Sequence, residues 1–164
     1  MKVHRDLEAW WRARGKLRQG GLSLGFVPTM GALHAGHASL IEASVADNAA
    51  TVVSIYVNPT QFNNPDDLSN YPDTLDDDLA LAERLGAAHV ILPTYDEMYA
   101  DDYRYQISEK ELSGILCGAH RPGHFDGVLT VVMKLLNIVC ADRAYFGEKD
   151  YQQFLLIRDM ARCL

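Results

Sequence analysis

The chain is poor in cysteine and has no long apolar run. Its three cysteines, Cys117, Cys140 and Cys163, are odd in number and widely spaced. This spacing argues against a disulfide framework and a Cys-x-x-Cys zinc site, which leaves them as buried or incidental thiols. No stretch reaches the roughly 18 apolar residues of a membrane span, and the first residues lack the apolar core of a signal peptide. We therefore expect a cytoplasmic protein.

Positive charge is also scarce, because 15 Lys and Arg residues stand against 22 Asp and Glu, for a net charge of −7. Such a surface disfavours nucleic acid and anionic membranes as general partners. Any phosphate site must therefore be local. A chain of 164 residues, 48% of them hydrophobic, can bury one sizeable core, so we expect a single domain over 1–164.

Two common phosphate-binding patterns are absent. No Gly-Lys-Ser/Thr follows the glycines, which excludes a P-loop, and the Gly-x-Gly-x-x-Gly pattern of dinucleotide-binding domains does not occur. The chain has instead the segment Phe-Val-Pro-Thr-Met-Gly-Ala-Leu-His-Ala-Gly-His at 26–37. Two histidines there follow a short apolar run and precede a helical pattern, which indicates a different kind of phosphate site.

We call residues 30–37 the histidine turn. It joins a strand predicted over 24–27 to a helix predicted over 36–49. Helix N-termini carry unpaired N–H groups and about half a positive charge, so an anion is favoured there. His34 and His37 are three residues apart and can reach the same phosphate. The four residues His-Ala-Gly-His alone leave a purely structural role open.

Apolar strands and helical periodicities alternate along the chain. The patterns predict strands at 24–27, 51–58, 88–92 and 143–146, and helices at 6–19, 36–49, 75–85, 125–139 and from 151 to the end. A long loop is expected over 58–72, an edge strand over 103–108 and a loop over 114–123. Repeated βα units predict an α/β fold with a doubly wound, mostly parallel sheet flanked by helices.

Polar residues follow three of these strands. The histidines follow the first, Asn58 and Gln61 the second, and 147–150 with Gln153 the last. Ligands of such folds bind at the carboxyl ends of the strands, so these groups predict one site at the switch point of the sheet. Gln61 suits a small polar acid, and the lysine of 147–150 suits a phosphate. The alternatives are turn chemistry for Asn58 and a helix cap within 147–150.

An acidic run, Asp76, Asp77 and Asp78, begins a predicted helix. Carboxylates there favour the positive end of the helix dipole. The alternative is that Asp77 and Asp78 help to hold Mg²⁺, which needs few protein ligands beside nucleotide phosphates. The turn Arg-Pro-Gly-His-Phe at 121–125 also carries a cation and an imidazole. Spacing alone does not show whether that turn faces the site.

The assembled pattern resembles the HIGH-type nucleotidyltransferases, which transfer AMP or CMP from a nucleoside triphosphate, and among them the pantothenate synthetase family. Four ordered blocks carry the likeness: Pro-Thr-Met-Gly-Ala-Leu-His-Ala-Gly-His (28–37), Ser-Ile-Tyr-Val-Asn-Pro-Thr-Gln-Phe (54–62), Arg-Pro-Gly-His-Phe (121–125) and Phe-Gly-Glu-Lys-Asp-Tyr-Gln-Gln (146–153). The resemblance implies a Rossmann-like domain that joins pantoate to β-alanine through a pantoyl-adenylate. It also implies ATP as substrate, Mg²⁺ and a homodimer.

The resemblance implies roles for individual residues as well. Those that would bind ATP are Met30, Gly31, Ala32, Leu33, His34, Ala35, Gly36, His37, Gly147, Glu148, Lys149 and Asp150. Those that would act in catalysis are His37 as proton donor, His34 and Lys149. Pantoate would contact Asn58, Gln61 and Gln153, and β-alanine would contact Gln61.

The chain departs from the family pattern at several points. Thr60 stands where methionine is usual, and Asp126 stands where arginine is common. A Ser-Ser-Arg segment, the second ATP signature, is missing, so we expect the amino-terminal domain of a longer enzyme, without its lid and with little or no activity alone. Another HIGH-type nucleotidyltransferase, or a non-catalytic nucleotide-binding or dimerisation module, stays open as an alternative.

Overall fold

A computed structural model describes all residues from 1 to 164. One sheet contains five parallel strands: β1 (Lys2–His4), β2 (Leu24–Thr29), β3 (Ala50–Ile55), β4 (His89–Ile91) and β5 (Arg143–Ala144). Their spatial order is β1-β4-β3-β2-β5. The chain moves outward from β2 through β3 to β4 and then returns to add β5 on the other side of β2. The predicted parallel α/β fold is confirmed, and its switch point lies between β2 and β5.

Seven helices surround the sheet: α1 (Leu7–Gln19), α2 (Ala35–Asp47), α3 (Pro65–Ser69), α4 (Leu75–Arg84), α5 (Tyr95–Met98), α6 (His124–Val139) and α7 (Tyr151–Cys163). Five of them lie where helices were predicted. The helix α3 falls within the predicted loop 58–72; it starts with a proline after Asn64, whose side chain accepts the Asp66 N–H. No helix combines the length and apolarity that a bilayer crossing requires.

Side chains alternate between the two faces of the sheet. Phe26 and Val52 belong to the larger core, which α1, α6 and α7 cover, whereas Val27 and Val53 belong to the smaller core under α2 and α4. Because both faces are covered, β2 and β3 appear in the sequence as nearly continuous apolar runs. That explains why these two central strands could be predicted.

The edges of the sheet were predicted less well. The expected edge strand over 103–108 is wrong, because Ile107 donates its N–H to Thr130 Oγ1 on α6 instead of to a neighbouring strand. Of the two actual edge strands, β5 lies within the strand predicted over 143–146, whereas β1 has three residues and too little pattern to be recognised. All three cysteines are exposed free thiols, so they are incidental and not buried.

Strands β1 and β4 bring two histidines together. His4 is 1% exposed, and its Nε2 lies 3.0 Å from Nδ1 of His89. Burial, and then the charges of His4 and Lys2, lower the pKa of His89 to about 4. Burial also lowers the pKa of His4. The folded protein therefore resists protonation of this pair.

We expect the protein to lose stability as the pH falls from about 6.5 toward about 4. Histidines of the unfolded chain titrate near pH 6.5, so below that pH the unfolded state takes up protons that the folded pair refuses until the pH approaches about 4 for His89. Thermal unfolding at several pH values checks this. His89→Gln, which replaces the imidazole with a polar amide that does not titrate, should flatten the dependence of the melting temperature on pH; an equal slope in both proteins would contradict the assignment.

Candidate active site

The two imidazoles of the histidine turn accept hydrogen bonds from the backbone of the same turn. His34 is the N-cap of α2, and its Nδ1 accepts the Gly36 N–H at 3.0 Å. His37 Nδ1 accepts the His34 N–H at 3.4 Å, and the two ring centroids lie 4.2 Å apart. Since Nδ1 is the acceptor in both rings, each neutral ring carries its proton on Nε2. Two N–H donors therefore stand side by side at the N-terminus of α2.

Burial and neighbouring charges favour the neutral form of His37. Burial, and then the proximity of His34, lower the pKa of His37, while Asp78 opposes the shift. Lys149 lowers this pKa further and Asp150 raises it, so the loop after β5 lies within electrostatic reach of the histidine turn. Gly147, Glu148, Lys149 and Asp150 are all exposed. Asp150 occupies the N-cap of α7 without a capping bond from its side chain, so its predicted cap role is not seen.

Asp78 holds the backbone of the histidine turn in place. It is 3% exposed; its Oδ1 accepts the Leu33 N–H at 2.7 Å, and its Oδ2 accepts the Ala32 N–H at 2.9 Å. Ala32 has a φ of 49°, a strained conformation that these charge-assisted bonds stabilise. Gly31 has a φ of 83°, and a Cβ there would lie 3.0 Å from Asp78 Oδ2. The turn and the carboxylate therefore fit each other closely.

The geometry gives no support to Asp77 and Asp78 as magnesium ligands. Both Asp78 oxygens are engaged by the turn, and Oδ2 also accepts the Thr74 hydroxyl at 3.1 Å. Asp77 is exposed, and no group of three or more His, Cys, Asp or Glu side chains could hold a metal ion. Metal binding by these two residues stays a prediction, and the observed role of Asp78 is to position the turn.

A cleft of about 180 Å³, the Gln61 cleft, opens at the carboxyl edge of the sheet. It brings together side chains from all three predicted polar groups, among them His37, Asn58, Gln61, Asp150 and Gln153. Its apolar wall comes mainly from α6 and from the strand ends, and contains Pro28, Val128, Val131, Val132, Leu135 and Phe146. The predicted polar groups therefore converge on one small cleft that also has an apolar wall.

A chain of hydrogen bonds orients the Gln61 amide. The Gly127 carbonyl can only accept, so Asn58 must direct its Nδ2 toward it, at 3.3 Å. The hydroxyls of Tyr99 and Thr60 then donate to Asn58 Oδ1, at 2.8 and 3.1 Å. Asn58 Nδ2 also donates to Gln61 Oε1 at 3.1 Å, which leaves the Gln61 Nε2 as a donor. Asn58 lines the cleft, and its buried amide acts through Gln61.

Within the cleft, Gln61 Nε2 lies 3.2 Å from Met30 Sδ, a weak acceptor that a ligand carboxylate could replace. The backbone of Gln61 is anchored too, because His124 Nδ1 donates to its carbonyl at 2.8 Å. His124 Nε2 in turn accepts from Arg121 at 3.0 Å. The block 121–125, which spacing alone could not place, therefore anchors the backbone of Gln61.

Sequence reasoning missed two supporting residues, Tyr99 and Tyr71, and the positioning role of a third, Asp78. Tyr99 bonds Asn58, which lies 41 residues away in the sequence, and Asp78 bonds Ala32, which lies 46 residues away. No local sequence pattern indicates either contact. Tyr71 also lines the Gln61 cleft. An aromatic residue in the long polar loop 58–72 was a signal that could have found it.

A parallel sheet whose strand order reverses beside a histidine-bearing helix N-terminus, with a cleft at that point, defines a Rossmann-like α/β domain. The chain matches the Pantoate-beta-alanine ligase family over residues 2–164, and it belongs to that family.

Individual relatives agree with this assignment. A pantothenate synthetase from Legionella pneumophila (strain Lens) is 56% identical over the whole chain, which spans 65% of that relative's length. A solved pantoate-beta-alanine ligase from Francisella tularensis, complexed with beta-gamma ATP and beta-alanine, has a TM-score of 0.95 and 43% identity. The match covers 99% of this chain and 62% of that one. A solved pantothenate synthetase from Thermus thermophilus has a TM-score of 0.89 and 41% identity, over 99% of this chain and 57% of its own.

Proposed function

We propose that this chain is the ATP- and pantoate-binding part of an enzyme that activates pantoate as its adenylate and passes it to β-alanine to give pantothenate, AMP and pyrophosphate. The observation that carries the proposal is the Gln61 cleft, in which an oriented amide donor and His37 line one small pocket. Family membership supports the same reaction. Because the chain spans less than two thirds of its relatives, the activity of the whole enzyme belongs to this proposal.

The reaction requires activation because a carboxylate does not condense with an amine at neutral pH. The pantoate carboxylate attacks the α-phosphate of ATP in line, and pyrophosphate leaves. Charge that develops on the phosphoryl oxygens is met by the Nε2–H donors of His34 and His37 and by the N-terminus of α2. Lys149, exposed on the loop after β5, supplies positive charge for the β- or γ-phosphate.

In the second step the amine of β-alanine attacks the acyl carbon of the adenylate and expels AMP. Holding both reactants in one pocket makes this step effectively unimolecular. Gln61, which contacts pantoate in the first step, is the residue we assign to β-alanine in the second. Asn58 fixes the orientation of the Gln61 amide, so that Nε2 can donate to carboxylate oxygens in both substrates.

Three further features belong to the proposal. Mg²⁺ would be held mainly by the phosphates of ATP, since the chain offers no ready-made metal centre. Residues 1–164 would form the nucleotidyltransferase domain, with a lid domain supplied by the rest of a longer enzyme. A homodimer in the cytoplasm is the expected state, on the basis of family membership.

Replacing Gln61 with alanine should weaken pantoate binding by about tenfold or more and leave ATP binding unchanged. A hydrogen bond to a charged group is worth about 1.5–3 kcal/mol, and only the small acid lies against this amide. Calorimetric titration of both ligands measures the two affinities. Gln19→Ala, at the exposed end of α1, is the matched control. Equal losses for the two ligands would show that Gln61 supports the loop only.

Asn58→Asp tests the orientation of that amide. A carboxylate cannot donate to Gln61 Oε1, so the amide should reverse and pantoate affinity should fall about as far as in Gln61→Ala. The double variant should then show little additional loss, because the two residues act as one unit. Thermal unfolding identifies a variant that fails to fold, and Tyr99→Phe offers a milder break of the same chain. Additive losses would contradict the coupling.

A further inference from the structure

Tyr56 carries a buried hydroxyl that has no hydrogen-bond partner in the protein. The residue follows β3, and its side chain is 8% exposed. His4, Arg14 and Ser54 also carry a buried polar atom without a partner, but none of them lines the Gln61 cleft. Tyr56 does line it. Its unpaired hydroxyl therefore stands out by its place at the site.

No hydrogen bond within the fold explains why residue 56 carries a hydroxyl. The ring packs in the larger core, in the same apolar cluster as Met98, Phe125 and Val128. Burying a hydroxyl among such groups without a partner costs free energy, which phenylalanine would avoid while filling the same space. The neighbouring Tyr99 shows the usual arrangement, because its hydroxyl donates to Asn58 Oδ1 at 2.8 Å. An unpaired group of this kind requires an explanation.

Tyr56 stands where two clefts meet. The second, which we call the Arg5 cleft, has a volume of about 430 Å³ and is lined by Arg5 and Asp73 among others. Met30, Tyr56 and Tyr71 line both clefts. Burial, and then the proximity of Tyr99, raise the pKa of Tyr56, so the hydroxyl stays protonated and can donate. Tyr56, whose buried hydroxyl has no partner, and Gln61, whose Nε2 is a donor, therefore line the same cleft.

We propose that the Tyr56 hydroxyl is a second substrate-contacting donor beside Gln61, which hydrogen-bonds an oxygen of the small hydroxy acid in the Gln61 cleft. The inference rests on the proposed function, in which that acid is pantoate. An acid with several oxygens can accept from both donors at once, whereas an apolar molecule of the same size would leave both unpaired. The hydroxyl thereby contributes to selection of the acid.

Tyr56→Phe tests the proposal because it removes only the unpaired oxygen. In the absence of ligand, the melting temperature should stay the same or rise, since the folded state loses no hydrogen bond. The Kd for pantoate should rise about tenfold, equivalent to about 1.4 kcal/mol, while the Kd for ATP changes by less than about twofold. Differential scanning calorimetry and isothermal titration supply the three values.

Tyr145→Phe is the matched control. Its hydroxyl donates to Asp47 Oδ2 at 3.0 Å and accepts from Asn48 Nδ2 at 2.8 Å, at the opposite end of α2 from the histidine turn. This variant should lower the melting temperature and leave pantoate binding unchanged. Each substitution deletes one tyrosine hydroxyl oxygen. Tyr56→Phe should weaken pantoate binding without a loss of stability, whereas Tyr145→Phe should lower stability without a change in pantoate binding.

The outcomes separate this inference from the proposed function. If wild-type protein binds pantoate and Tyr56→Phe binds it equally well, the inference is wrong and the proposed function stands. If the variant loses affinity for β-alanine or ATP instead, the assignment to the acid is wrong. If wild-type protein binds ATP but no pantoate, the proposed function itself fails. A tenfold loss confined to pantoate supports both.

Discussion

In the full-length enzyme, replacing His37 with alanine is expected to slow pantoate-dependent exchange of labelled pyrophosphate into ATP by far more than tenfold, toward the roughly 10²–10³-fold typical of a lost oxyanion donor. The reason is that His37 presents an Nε2–H beside the helix N-terminus, where charge develops on the phosphoryl group. The fold should survive, because His37 belongs to neither apolar core. The exchange rate and the melting temperature, measured on one preparation, test both halves of the statement.

His120→Ala provides the control for this experiment, since it removes an exposed imidazole from another part of the surface. Its exchange rate should equal that of wild-type protein. An exchange rate of His37→Ala close to wild type would show that the imidazole only caps α2. A large fall in melting temperature would instead assign His37 a structural role.

Asp78→Ala should reduce both stability and activity. The substitution removes the carboxylate that accepts the N–H groups of Ala32 and Leu33, and each such bond is worth about 1.5–3 kcal/mol. We expect the free energy of unfolding to fall by roughly 3 kcal/mol or more, and exchange to be nearly lost because the histidine turn relaxes. Urea denaturation measures the first effect and pyrophosphate exchange the second.

Asp77→Ala separates this positioning role from metal binding. Asp77 is the exposed neighbour on α4, so its loss should change neither stability nor the Mg²⁺ concentration needed for exchange. If Asp77→Ala raised that requirement, the prediction of Asp77 as a magnesium ligand would gain support. Wild-type stability in Asp78→Ala would contradict the account of the turn given above.

Much of the fold could be predicted because its central strands are buried on both faces. Residues of β2 and β3 appear as apolar runs, and the helices α4 and α6 show a clear amphipathic period. The edges were predicted less well. Strand β1 has three residues and was missed, and the segment 103–108 has strand-like composition but bonds to α6, whereas the two residues of β5 lie within the strand predicted over 143–146.

The location of the site followed from topology, since polar residues after parallel strands must meet at one edge of the sheet. His37, Gln61 and Gln153 accordingly line one cleft. The roles of individual residues could not be predicted in this way, because they depend on contacts between residues that are distant in the sequence. Asn58 acts through Gln61, and Asp78 bonds a turn 46 residues away, so neither role appears in local sequence.

The central claim is that the Gln61 cleft binds a small hydroxy acid beside a site for ATP. Isothermal titration of wild-type protein and Gln61→Ala with pantoate, ATP and AMP tests it most directly. The account predicts that wild-type protein binds both pantoate and ATP, and that Gln61→Ala weakens pantoate by about tenfold with ATP and AMP unaffected. Binding of ATP and AMP without any binding of pantoate to the wild-type protein would contradict it.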